Sequence, residues 1–233
     1  MELLLENRAL KVEAAVINDV VNFEGATLIV HDERAAIVKS GEVHKCVFSD
    51  ISHAAEYFKK YGIGGKVCLM NAPIGAPEVF GFEAEACKTF AYLSPMPPLQ
   101  DNSVTIKRLA PSLAETVRSE YAKSGAAIYT TEQVAELMRT KGVFGAIVDG
   151  RLAGFIGRHS DGNMGMLEVY ENFRRRGLGV TLMKFMIGYI MTFGRTPVCD
   201  VFIKNAPSIA LQHKLGMTEA TGYTFWGTLG SKL

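Results

Sequence analysis

Over residues 1–23 the chain carries apolar side chains at Leu3, Leu4, Leu10, Val12, Ala15, Val16, Val20 and Val21, a loose helical spacing. Two strand-like runs follow, 26–30 and 35–38, with Asp32-Glu33 at the turn between them. Residues 53–61 read as a helix stopped by Gly62, 66–70 as a buried strand and 86–93 as another; Gly64-Gly65 is a loop, because a strand comes next. No periodic segment crosses residues 94–102, which hold the one proline cluster and read as a domain linker. Beyond it the pattern predicts a strand at 104–108, then a helix at 112–121 with Ser112 and Glu115 as a capping box. A helix at 132–139 follows, opened by Thr130 or Thr131. Strands at 143–148 and 152–158 flank Asp149-Gly150, a strong hairpin signal, and a strand at 164–169 leads into an apolar helix at 180–191. The chain then reads as a strand at 198–203, a turn, a helix at 208–214 closed by Gly216, and a strand near 223–228. This is an α/β pattern in two domains, 1–98 and 99–233.

Composition narrows the partners. The 233 residues are 48% hydrophobic and 21% charged with a net charge of +1, so no general basic field invites nucleic acid or an anionic membrane. A metabolite is the expected partner, and a homodimer is left open. Cys46, Cys68, Cys87 and Cys199 form no Cys-x-x-Cys pair, and no histidine cluster accompanies them, so no metal site is expected. Widely spaced thiols in apolar runs suit a reducing compartment, and the chain start lacks a basic n-region with a cleavage site, so a cytoplasmic location is expected. Lys184 interrupts the longest apolar helix, which is too short to cross a bilayer. The final Ser231-Lys232-Leu233 spells a peroxisomal address in a eukaryote and otherwise reads as chance.

The chemistry concentrates where a strand meets a helix, at 167–179: Leu-Glu-Val-Tyr-Glu-Asn-Phe-Arg-Arg-Arg-Gly-Leu-Gly. Gly177 and Gly179 let the backbone turn tightly, the first turn of the next helix adds unpaired N–H donors, and Arg174, Arg175 and Arg176 add positive charge. A diphosphate fits such a site; an exposed basic turn is the plainer alternative.

The spacing Arg174-x-x-Gly177-x-Gly179, approached through Val169-Tyr170-Glu171, resembles the acyl-CoA pyrophosphate loop of the GNAT acyltransferase superfamily, here without the proline that often precedes it. Asn205-x-x-Ser208 followed by Lys214-Leu215-Gly216-Met217 resembles a second motif of that superfamily. The resemblance implies that Leu167 and Val169 bind the pantetheine arm and that the amides of Arg175, Arg176, Gly177, Leu178, Gly179 and Val180 hold the diphosphate. It places Asn205 and Ser208 beside the thioester and adds Lys214 to the cofactor residues; the plainer reading of Asn205 is a helix cap. Length and layout more narrowly resemble the glycine N-acyltransferase-like branch, which acylates small amines such as amino acids.

The halves also parallel each other. Asp32-Glu-Arg matches Asp149-Gly-Arg, and Val67-Cys68 matches Val198-Cys199, yet 48–53 stands where the second half has its arginines and glycines. Two GNAT-like mixed-sheet domains in tandem are therefore expected, the first degenerate and shaping the acceptor site.

Direct transfer from acetyl-CoA to a small amine needs a base, an oxyanion donor and an acid for the thiolate. Strand alternation sets Glu168 opposite its apolar neighbours, as a general base or as a solvated strand-end carboxylate. Backbone N–H near Val169 would meet the oxyanion. The tyrosine that serves as acid in many GNAT members is replaced by Gln212, so Ser208 and Tyr223 are the candidates. The alternative is a non-catalytic acyl-CoA-binding or sensing protein; a nucleotide-binding protein lacks its usual phosphate motifs here.

Overall fold

The structure is a computed structural model that describes residues 4–100, 103–123 and 129–230. Ser231-Lys232-Leu233 lies outside the described residues. The chain packs as two units, Met1–Leu93 with Val198–Leu233, and Ser94–Pro197.

The first unit begins with α1 (Lys11–Phe23), then β1 (Thr27–His31), β2 (Ala35–Ser40), β3 (Val43–Phe48), α2 (Ala54–Tyr61), β4 (Gly65–Ala72), the short α3 (Ala76–Val79) and β5 (Ala86–Ala91). Strand β2 is apolar at consecutive positions because both of its faces are covered. Ala36 and Val38 meet Val12, Val16, Ile17 and Val20 of α1, whereas Ala35 and Ile37 join Phe48, Leu69 and the α2 residues Tyr57 and Phe58. The sequence pattern missed β3, where His44 and Lys45 mask the strand signal; both are buried.

In the second unit come β6 (Thr105–Arg108), α4 (Ala114–Ala122), α5 (Thr131–Thr140), β7 (Val143–Val148), β8 (Arg151–Arg158), β9 (Met164–Val169) and α6 (Leu178–Met191). The four strands form an antiparallel sheet in the order β6-β7-β8-β9. Asp149 and Gly150 both take positive φ, 50° and 72°, as the tight Asp-Gly hairpin requires. One face carries α4 and α5 through Val117, Val134, Leu137 and Met138, which pack with Phe155 and Met166. The other carries α6, whose Leu178 packs with Ala153 and Phe173. The expected capping box at Ser112 and Glu115 does not form: α4 has no side-chain cap, and Glu115 instead pairs with Arg118 and Thr131. The box sits at α5, between Thr130 and Gln133.

The chain then returns to the first unit with β10 (Val198–Phe202), α7 (Ala206–Lys214), β11 (Thr218–Glu219) and β12 (Tyr223–Leu229). Its sheet runs β1-β2-β3-β4-β12-β5-β10, with β11 also on β5. Strand β12 inserts between β4 and β5, pairing Trp226 with Cys68 and Phe225 with Ala86. The packing therefore departs from consecutive domains divided at 98/99. The linker was expected to separate the halves, but the last strands complete the first sheet, and Gln100 of the linker donates to the Lys184 carbonyl of α6 (2.9 Å).

The same order of three strands, helix, strand, helix, strand occurs twice, from β1 to β5 and from β7 to β11. The copies differ where it counts. In the first, β3 and β4 are hydrogen-bonded in parallel from Val43 with Lys66 to Val47 with Met70. In the second, β9 ends its sheet and β10 belongs to the other sheet.

Candidate acyl-donor site

Phe173 and Leu178 fix the turn between β9 and α6. Both are buried, Phe173 also lies under the guanidinium groups of Arg151 and Arg176, and together they hold the intervening 174–177 at the surface. Arg175 takes φ +64° and Gly177 φ +81°. An L side chain resists that conformation, so glycine at 177 lets the turn close directly onto the helix.

The first backbone bond of α6 runs from Thr181 N–H to the Gly177 carbonyl (3.1 Å). The N–H groups of Leu178, Gly179 and Val180 consequently have no intrahelical acceptor, as at any uncapped helix start, and Gly177 supplies no side-chain cap. Leu178 offers only its backbone, because its side chain is in the core. Arg175 and Arg176 are exposed beside these donors. A helix start with these donors and charges can receive a polyanion. In the first copy Asp50 accepts from Ser52 N–H (2.9 Å) and caps the 3-10 turn Ile51–His53 that leads into α2, whose own start has no side-chain cap.

Strand β9 carries the second part of the site. Tyr170 N–H donates to the Ala153 carbonyl (2.9 Å), which makes the adjacent Val169–Gly154 pair the non-hydrogen-bonded kind. The N–H and C=O of Val169 thus face the open edge of the sheet. The strands approach so closely there that a Cβ on Gly154 would come within 2.5 Å of the Glu168 carbonyl oxygen. A register shift opposite Phe155 to Gly157, with Met166 at φ +50°, marks a bulge one residue before Leu167.

Glu168 points to the α4 side, and its side chain is 11% exposed. With Glu120, Lys123, Tyr170, Glu171 and Arg174 it lines a pocket of about 260 Å³. The Tyr170 hydroxyl is buried without a hydrogen-bond partner, and burial, then the charges of Glu120 and Glu168, push its pKa up to about 12. It stays a neutral donor and acceptor at any physiological pH. Burial likewise raises Tyr121, which is hydrogen-bonded to the Met166 backbone. The sequence assigns no site role to Tyr170, which appears only in the approach to the loop, or to Glu120; the available signal is Tyr170 at i+2 from Glu168.

Arg174 differs from its neighbours. Its Nε donates to the Val169 carbonyl (2.9 Å) and its Nη2 to Glu168 Oε1 (3.1 Å), so the guanidinium turns back onto β9.

The remaining expected residues lie in the first unit. Asn205 caps α7 by accepting from Ser208 N–H (3.2 Å), and Gln212 Nε2 donates to Ser208 Oγ (3.5 Å). Gln212 is buried with Oε1 unpartnered. Lys214 is exposed at the far end of the same helix, roughly 13 Å along its axis from Asn205. Tyr223 is half-buried on β12 with the Lys88 ammonium 4.6 Å from its ring centre. Among the described residues no cluster of histidine, cysteine, aspartate and glutamate could hold a metal ion, and no helix is long and apolar enough to cross a membrane.

The family model of FR47-like proteins matches residues 141–226, which include the β9–α6 turn and Asn205. No curated protein matches the sequence. Among solved structures, a Drosophila protein is 17% identical with a TM-score of 0.61, the match covering 91% of this chain and 76% of that one. A GCN5-related N-acetyltransferase from Kribbella flavida is 13% identical (TM-score 0.56, covering 97% and 98%). An acetyltransferase of the GNAT family from Colwellia psychrerythraea is 11% identical (TM-score 0.52, covering 98% and 100%). The mixed first sheet, the repeated strand and helix order and these likenesses together establish that the chain has the GNAT fold.

Proposed function

We propose that this protein is an acyl-CoA-dependent N-acyltransferase, most simply one that uses acetyl-CoA, and that its acceptor is a small amine. The observation that carries the reading is the uncapped start of α6, with free N–H groups at Leu178, Gly179 and Val180 beside Arg175 and Arg176. There the coenzyme A diphosphate would bind, and the pantetheine arm would run along the open edge at Val169.

The acceptor amine would enter the pocket beside Glu168 and Tyr170. Its nitrogen attacks the thioester carbon while Glu168, directly or through a water, takes the proton that the nitrogen loses. The outward Val169 N–H would meet the developing oxyanion, the C–S bond breaks, and the thiolate takes a proton from solvent. A small amino acid, as in the glycine N-acyltransferase-like branch, is the acceptor class we favour.

Calorimetry with coenzyme A and acetyl-CoA tests the donor site, and free-thiol release across an amine panel tests transfer. Binding without thiol release for any amine would instead support a non-catalytic acyl-CoA-binding protein, a reading that Gln212 at the acid's place favours. No heat with either ligand would sink both.

A further inference from the structure

We infer that Arg174 is a positioning residue for Glu168 and not a ligand of the donor's diphosphate, an inference that rests on the acyltransferase reading above. In sequence Arg174 is indistinguishable from Arg175 and Arg176. The backbone separates them. Arg174 is extended (φ −64°, ψ 160°), with its N–H held by the Glu171 carbonyl (3.2 Å), and the left-handed Arg175 then reverses the chain. Arg174 therefore ends the β9 side of the turn, while Arg176 begins the α6 side.

Its guanidinium is fixed at two points, by Nε on the Val169 carbonyl and by Nη2 on Glu168 Oε1. A planar fork held by a backbone oxygen presents its second donor in a set direction, which lysine cannot reproduce. Among the described residues Arg174 is the one side chain bonded to the Glu168 carboxylate. The exposures are unequal in an informative way: Glu168 is 11% exposed and Arg174 58%, so the arginine lies over the carboxylate from the solvent side. Both line a pocket together with Tyr170, whose hydroxyl is buried without a partner. With Oε1 committed to Arg174, Oε2 is the oxygen left to accept a proton from an incoming amine. A guanidinium committed to β9 in this way is not spare charge for a phosphate.

The experiment compares Arg174→Ala, Arg174→Lys and Arg176→Ala in the full chain, by calorimetry with coenzyme A and by steady-state transfer from acetyl-CoA. Arg176→Ala should weaken coenzyme A by about tenfold, and Arg174→Ala by less than about twofold. Arg174→Ala should lower kcat by about ten- to a hundredfold at unchanged donor KM, with Arg174→Lys recovering little and added guanidinium ion recovering part. In a Glu168→Gln background Arg174→Ala should cost nothing further. Arg174→Lys keeps the charge, so it carries the comparison should the alanine variant fail to fold.

Loss of coenzyme A affinity in Arg174→Ala equal to that in Arg176→Ala, with kcat kept, would overturn the inference and leave the donor site intact. So would independent, multiplying losses in the double variant. Wild-type protein that binds no coenzyme A overturns the underlying reading instead.

Discussion

Tyr170 and Glu168 show how much a single side chain is asked to do at the end of β9. A buried hydroxyl without a partner destabilises the fold by about 1–3 kcal/mol, so Tyr170→Phe should raise the melting temperature while raising KM for the acceptor. Thermal unfolding and amine titration read the two effects, and a loss on both counts would mean the hydroxyl has a structural partner instead. Glu168→Gln should lower the transfer rate by about a hundredfold or more and alter its pH profile; an unchanged rate and profile would remove Glu168 from the mechanism. The residue types here were legible in the sequence, since an Arg-Arg-Arg-Gly turn between a strand and a helix points to an anion site or to an exposed basic turn. Their division of labour was not. Three arginines in a row carry no sign of which one the left-handed Arg175 sends back to Glu168, because that depends on backbone angles set by the packing of Phe173 and Leu178.

At the scale of elements, β8 and β9 decide whether the site exists. A side chain on Gly154 would collide with the β9 backbone at the Glu168 carbonyl and at Val169 Cα. Gly154→Val should therefore cost about 1–3 kcal/mol and abolish transfer by shifting Val169. Hydrogen exchange would locate the damage in β8 and β9, and protection unchanged there would contradict the close approach. Helix α1 makes a different prediction. Glu13 is fully buried with both carboxylate oxygens unpartnered, and burial raises its pKa above 4.5 despite its own backbone N–H and Lys88, which act the other way. The folded chain then holds this proton more tightly than the unfolded chain, so the contribution to stability is full below pH 4.5 and is lost as pH rises through the folded value. Glu13→Leu should stabilise the protein at pH 7 by about 2 kcal/mol and by less at pH 4, as denaturant melts at both pH values would show. The periodic patterns of α1, α2, α5 and the 149–150 hairpin were readable because local chemistry sets them. Strand β3 was not, since Lys45 is buried beside the Trp226 ring through a pairing formed far away in the chain.

On the scale of the whole molecule, the two copies of one strand and helix order have opposite fates. The first zips β3 to β4; the second leaves β9 at a sheet edge. Both the linker and the repeat could be read from prolines and dipeptides. That the closing strands return to the earlier sheet could not, because an apolar strand pattern records that it is buried and not which strands bury it. A chain ending at Pro197 loses β10, β11 and β12, and with them the partners on both sides of β5. Such a chain should be insoluble or should show exchange-labile amides in β4 and β5, and full protection there would refute the dependence.

The placement of β12 between β4 and β5 also sets a timetable for the ribosome. Residues 94–197 contain every strand of their own sheet and can mature while translation continues, whereas the sheet begun near the amino terminus must wait, with a gap at its middle, until residues 223–229 have emerged. During that wait its unpaired strand edges are exposed, and this is the interval in which a nascent chain of this kind has most need of a chaperone.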